Sequence, residues 1–285
     1  MAKLTAVQTA VKSVRYLGPA QVALYGLYKL GLKSGHFRRA EAPPNAPPGP
    51  LAPLFDLPAR ETLQSVLGED GLRALRAEAE EIIAGQVRLF GGPPVDLCLT
   101  FDQPLHHWTA YEENPSLLST FNLPHNDIKF LWEPARFGWA FTLGRAYHLT
   151  GEEKYALAFW RYTEQFLDAN PPYRGPHWMN GQEAALRLMA LTWAGQVFAP
   201  SAHSTPARME KLAAAVAAHA QRIPPTLLYA RAQNNNHLLT EAAALYTAGL
   251  ALPAHPQAAA WRALGWKWLT WCFENQIDAY GEYVQ

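Results

Sequence analysis

From residue 60 onward, apolar positions recur three and four apart in a series of stretches, 60–90, 127–149, 152–169, 179–198, 207–222, 237–251 and 256–276. That spacing is the signature of helices with a buried face. The stretches are cleanly punctuated. Asn170-Pro171-Pro172 and Ile223-Pro224-Pro225 each stop a helix, because a residue before proline is pushed out of the α conformation. Thr150-Gly151 and Gly249 read as turns or caps. Strict alternation appears in Val95–Phe101, the one strand expected. Several helices are apolar on more than one side, as in Ala184-Ala185-Leu186-Arg187-Leu188-Met189-Ala190-Leu191, and so expect neighbours on two faces. The fold class expected is all-α: an incomplete α/α toroid of antiparallel helical hairpins joined by short loops.

The segment before residue 60 is different. Leu17–Gly26 reads as the core of a helix lying on a surface, and Glu41-Ala42-Pro43-Pro44-Asn45-Ala46-Pro47-Pro48-Gly49-Pro50 opens an extended proline-rich linker. The expected division is therefore 1–40 as a helical segment, 41–58 as linker, and 59–285 as the toroid domain. The apolar run near the N-terminus is broken by Gly, Pro and Gln, too short to span a bilayer and without a clear cleavage site. This favours the cytoplasm over the periplasm or the medium.

Composition narrows the function. Basic and acidic residues balance at 24 each, so no overall field draws nucleic acid or an anionic membrane. Two cysteines, Cys98 and Cys272, make neither a disulfide framework nor a zinc motif, and no metal site is expected. The aromatic load is heavy, with 10 Trp, 12 Tyr and 12 Phe. Part of it belongs to the core; flat aromatic faces also suit the C–H faces of pyranose rings.

The most unusual stretch is Asn234-Asn235-Asn236-His237, directly before the apolar run Leu238–Tyr246. Asparagine competes for backbone hydrogen bonds and is poor helix material. Asn236 reads as an N-cap, or as part of a polar grip on a carboxylate-bearing ligand. Two further segments carry Trp, Glu and Arg near a helix start. In Asp127–Arg136, Trp132 and Arg136 share a face with Trp139, and Glu133 reaches Arg136. In His177–Arg187, Glu183 and Arg187 form an i, i+4 pair one turn beyond Trp178. Both pairs are also readable as ordinary helix braces.

The segments DIKFLWEPARFGWAFTLGRAY, NPPYRGPHWMNGQEAALRLMAL and NNNHLLTEAAALYTAGL, in that order and spacing, resemble the N-terminal toroid of the heparinase II/III-like polysaccharide lyases, a group of heparin, heparan sulfate and alginate lyases. The likeness covers roughly residues 90–285. It implies a toroid followed by an antiparallel β-sandwich, and β-elimination at a uronic acid without a nucleotide or redox cofactor. It implies that Asn236 neutralises the uronate carboxylate and that His237 assists it or acts as base. Asn235, Trp132, Glu133, Arg136, Trp178, Glu183 and Arg187 become candidate contacts to an anionic poly- or oligosaccharide. The tyrosine that serves as general acid is expected just past Gln285, and the β-sandwich beyond it, so the chain reads as part of a longer protein with little turnover alone. Two alternatives stand beside the lyase. One is a carbohydrate-binding module without catalysis. The other is a toroid glycoside hydrolase, which needs two carboxylates drawn from Asp127, Glu133, Glu183 and Glu241.

Overall fold

The computed structural model describes Arg15 and residues 18–40 and 47–283. The described residues begin with α1 (Pro19–Lys33) and a short α2 (His36–Arg39), then α3 (Arg60–Ile83). A hairpin of β1 (Gln86–Arg88) and β2 (Pro94–Asp96) and a short α4 (Trp108–Glu113) follow. The body is α5 (Lys129–Ala135), α6 (Gly138–Thr150), α7 (Glu153–Ala169), α8 (Gly181–Phe198), α9 (Pro206–Arg222), α10 (Leu227–Gln233), α11 (Asn236–Ala251) and α12 (Ala258–Asn275).

The helices form an arc. α6 packs on α3, α7 and α8; α8 packs in turn on α9 and α11; and α11 packs on α12. Each central helix thus buries two sides, as its composition demands, and the result is the incomplete α/α toroid. The core between layers is aromatic and aliphatic, with Phe137, Trp139, Phe159, Phe166, Leu188, Leu191, Phe198 and Leu245 all buried. A smaller apolar cluster of Tyr28, Phe37, Trp108 and Trp178 sits under the N-terminal helices. There Tyr28 stacks on Tyr229 of α10 at 4.3 Å between ring centroids.

The proline-rich stretch, from residue 47 on, lies against the helices. Ala52 donates its N–H to Ala251 O at 2.8 Å and Leu54 donates to Gln196 Oε1 at 2.9 Å. The Gln196 amide returns a bond to Phe55 O, and Leu51 and Leu57 pack on the core. Residues 41–46, where the linker was expected to begin, lie outside the described residues.

Four local expectations are corrected. The strand expected over 95–101 stops at Asp96, and its partner β1 falls where helix was expected to run to residue 90. The periodicity missed this because the hairpin is three residues deep on each side. The helix expected over 127–149 is two helices, broken at Phe137, whose φ is 63°. Trp139 therefore does not share a face with Trp132. Its indole N–H donates to Pro134 O at 3.0 Å and its ring packs on Phe137 in the core. Gly249 is no cap: it lies inside α11, where an added Cβ would meet Ala258 O of α12 at 2.6 Å. Lastly, α10 was not anticipated, because seven residues are too few to show a period.

Candidate functional site

Two buried arginines set the stage. Arg222, at the end of α9, donates Nε to Trp178 O at 2.9 Å, Nη2 to Met179 O at 2.8 Å and Nη1 to Thr226 Oγ1 at 2.7 Å, with its guanidinium 3.9 Å from the Trp108 ring centroid. Arg187 of α8 donates Nη2 to His177 O at 2.5 Å and Nε to His219 Nε2 at 3.0 Å. His219 Nδ1 donates to Ala215 O, so Nε2 is the free acceptor and the ring is neutral. Burial, reinforced by the adjacent guanidinium of Arg187, lowers its pKa to about 3. Burial also lowers Arg187 to about 10, which leaves it cationic at neutral pH. Three consecutive carbonyls, at 177, 178 and 179, are thereby fixed by two cations. They form the turn that leads into α8, capped by Asn180, whose side chain accepts from Gln182 N at 2.8 Å.

The start of α8 then carries Glu183 to a fixed place. Glu183 is buried and takes a bidentate pair from Arg136, Nε to Oε2 at 2.9 Å and Nη2 to Oε1 at 2.7 Å. The third nitrogen, Nη1, donates to Glu133 Oε2 at 2.5 Å. The Glu183 hydrogen bonds push the Arg136 pKa up. The Arg136 side chain keeps 30% of its surface open to solvent. It is a fully ionised, rigidly oriented cation at the rim.

The start of α11 faces the same region. Gln182 Nε2 donates to Thr240 Oγ1 at 3.4 Å, and an added Cβ on Gly181 would meet the Glu241 carboxyl at 2.7 Å, so the first turn of α8 abuts the second turn of α11. Asn234 sits in the left-handed region, φ 47°, and turns the chain from α10 into α11. Asn235 is the N-cap, its Oδ1 accepting from His237 N at 3.1 Å and its carbonyl from Gln276 Nε2 at 3.3 Å. Asn236 is the first helical residue, exposed, and its side-chain amide meets no hydrogen-bond partner among the described residues. His237 is half-buried; burial lowers its pKa, opposed by Glu183 and reinforced by Arg136. Its Nδ1 likewise has no partner among the described residues. The structure thus brings Glu133, Arg136, Glu183 and His237 into one electrostatic cluster, with Asn235 and Asn236 on the same helix start. The positive end of the α11 dipole points where an anion is best held.

A sequence profile described as Heparinase II/III N-terminus matches residues 104–284, which contain all of these side chains. The chain belongs to the heparinase II/III family. A heparin-sulfate lyase of Bacteroides stercoris is 30% identical over 165 residues, covering 50% of this chain and 24% of that protein. Among solved structures, the heparan sulfate lyase HepC from Pedobacter heparinus aligns over 98% of this chain and 38% of its own, at TM-score 0.56 and 19% identity. A heparinase III aligns over 95% and 38%, at TM-score 0.53 and 18% identity. The chain therefore spans about a quarter of that curated relative and under half of these solved structures. The structural matches include the N-terminal helices, which the sequence likeness alone did not reach.

Within the heparinase II/III fold, three expected contacts are placed differently. Trp178 is 2% exposed, with Tyr173, His219 and Arg187 against its ring, so it offers no face to a sugar. Arg187 is fully buried and pairs with His219 and a carbonyl, not with Glu183. Glu183 is spent on Arg136 across two helices, because the bend at Phe137 swings Arg136 toward α8. These three brace the turn into α8 and its first turns and are not open to a ligand. Trp132 is half-buried and ties α5 to the turn by donating Nε1 to Pro176 O at 3.0 Å. The cap is Asn235 and not Asn236. Arg222, His219 and Gly181 escaped the sequence reading, since a lone arginine at a helix end and a glycine after a cap carry no distinctive signal.

Proposed function

We propose that this chain supplies the carboxylate-binding half of a polysaccharide lyase site that acts by β-elimination on a uronic-acid-containing polysaccharide. The observation that carries the reading is the unspent amide of Asn236 beside the half-buried, neutral His237, at a helix N-terminus next to the Arg136–Glu183 pair. In β-elimination a base removes the proton alpha to the carboxylate, the carbon–oxygen bond to the leaving sugar breaks, and that oxygen takes up a proton. The first step is blocked while the carboxylate repels further negative charge. A preorganised amide donor lowers that barrier as charge develops. Asn236 Nδ2 donates to one carboxylate oxygen, and His237 donates to the other or accepts the proton, depending on the sugar epimer. Arg136 is held by the two carboxylates of Glu133 and Glu183, so its part is to fix α5 against the start of α8 beside the ligand, not to supply net positive charge. The relatives' heparin-type substrates make a glycosaminoglycan uronate the first class to test.

A hydrolase reading is disfavoured by the carboxylates themselves. Glu133 and Glu183 are bound to Arg136, Asp127 caps Lys129 N at 2.9 Å, and Glu241 is buried against Gly181. No two of them stand free across an open gap, as acid and base in a hydrolase must. The test uses the protein that carries this chain, incubated with heparan sulfate, reading the ultraviolet absorbance of unsaturated uronate ends. Asn236→Ala lowers kcat on the order of 10²–10³-fold with little change in KM. Saturated products, or a kcat near that of the parent, would overturn the assignment.

A further inference from the structure

The overall charge balance conceals a local one. Seven of the 24 basic residues precede the first acidic residue, Glu41, so the chain beyond is net negative. Within that basic stretch, α1 has an unusual solvent side. It is fastened to the body through Tyr28, Gly31 and Leu32, all buried. Tyr28 stacks on Tyr229 of α10, and Gly31 admits the Phe37 ring, which an added Cβ would meet at 2.7 Å. A surface helix packed this way ordinarily carries polar residues on its opposite face. α1 does not. Ala20, Ala23, Leu27 and Leu30, spaced three and four apart, run down one face and are all exposed, Leu27 by 57% and Leu30 by 62%. Tyr25 flanks them at 45% exposure. The only ionic or amide side chains among the 15 residues of α1 are Gln21, Lys29 and Lys33.

Cations border this apolar face. Lys33 stands three residues beyond Leu30 and is exposed. A depression between α1 and α2 is lined by Leu27, Leu30, Phe37 and Leu228 together with His36 and Arg39, and by no carboxylate. Two carboxylates of α4 do reach these helices: Glu113 takes Arg38 at 3.0 Å, and Glu112 interacts with Lys29. Lys33 and Arg39 have no ion-pair partner among the described residues.

We propose that α1 is an anchor to an anionic lipid surface, with Ala20, Ala23, Leu27 and Leu30 entering the headgroup boundary while Lys33 and Arg39 meet the lipid phosphates. No helix among the described residues is long and apolar enough to cross a membrane, so α1 lies in the plane of the surface. The bordering charge selects this occupant. A second copy would bring the same cations against these and be repelled, whereas an anionic headgroup layer attracts them. Long cationic side chains at the edge of an apolar helix face also reach the headgroups without leaving the helix in water. α10, which packs on α1, runs directly into Asn234, so one short helix joins the lipid face to the start of α11. The proposal is independent of the lyase reading.

The experiment is co-sedimentation of the 285-residue chain with vesicles of equal parts phosphatidylcholine and phosphatidylglycerol, and with phosphatidylcholine alone. The parent pellets with the anionic vesicles and not with the neutral ones, and added salt releases it. Leu27→Gln/Leu30→Gln changes two exposed positions to a residue that suits a helix, so the melting temperature is kept. It weakens vesicle binding at least about tenfold. Lys33→Gln/Arg39→Gln weakens it about tenfold as well. Asn236→Ala binds vesicles as the parent does. No pelleting of the parent, equal pelleting with neutral vesicles, or parent-like binding by either double variant overturns the anchor. A dimer abolished by Leu27→Gln/Leu30→Gln, in place of vesicle binding, assigns the face to a second copy and overturns it too.

Discussion

At the scale of single residues, the decisive distinction is between neighbours in the run Asn234-Asn235-Asn236-His237. The three asparagines serve in turn as left-handed corner, helix cap, and exposed first residue of α11. The sequence marks the segment as an entrance with surplus amides, but three identical side chains in a row leave open which one caps. That is decided by the φ of 47° at Asn234, a backbone property with no signature when all three candidates tolerate it. The division of labour predicts opposite outcomes for adjacent substitutions. Asn235→Ala loses the bond to His237 N and costs about 1 kcal/mol in chemical denaturation. Asn236→Ala removes no internal bond and leaves the unfolding midpoint within error. Equal losses at the two positions would show that the cap is shared and that Asn236 is not held free for a ligand.

At the scale of elements, long helices were legible because periodicity accumulates over several turns. α7, α8, α9, α11 and α12 fall within two residues of the expected stretches. Short or bent elements were not legible for the same reason. The break at Phe137 lies in an unbroken apolar pattern, and its cues were Pro134, interior to the expected helix, and Gly138, the first residue of α6. That break matters most, because it turns Arg136 away from the face of Trp139 and onto Glu183. How closely helices approach was equally hidden. α11 and α12 meet through glycines, and a Cβ on Gly265 would lie 2.5 Å from Tyr246 N and 2.7 Å from Ala242 O. Both obstacles are backbone and cannot move aside. Gly265→Ala is therefore expected to cost about 2–3 kcal/mol despite its better helix propensity, as measured by urea denaturation. A neutral or stabilising result would mean that the two helices slide freely, and that the contact of Gln276 with Asn235 does not fix the start of α11.

At the scale of the whole molecule, the architecture follows from helices with two apolar sides, and the pH dependence of stability follows from what those helices bury. Glu241 lies on the inner side of α11 against Gly181, with one carboxyl oxygen unpartnered among the described residues. Burial raises its pKa from 4.5 to about 8, with Arg222 pulling the other way. A folded-state pKa above the unfolded value means that the stabilising effect is complete below pH 4.5 and is lost as the pH rises through about 8. His177 and His219 oppose this on the acid side. Both are buried and neutral with lowered pKa values, so stability falls as the pH drops below the 6.5 of an unfolded histidine. The two slopes confine maximum stability to mildly acidic conditions. Glu241→Gln keeps the shape but removes the titration. Its stability relative to the parent is flat below pH 4.5, then rises with pH up to about 8, at a slope of no more than about 1.4 kcal/mol per pH unit. Urea denaturation across that range reads the difference directly. Parallel curves would show that the Glu241 carboxyl is ionised in the folded protein at neutral pH, held by Arg222 as an ion pair, and that the contact between α8 and α11 carries a buried negative charge.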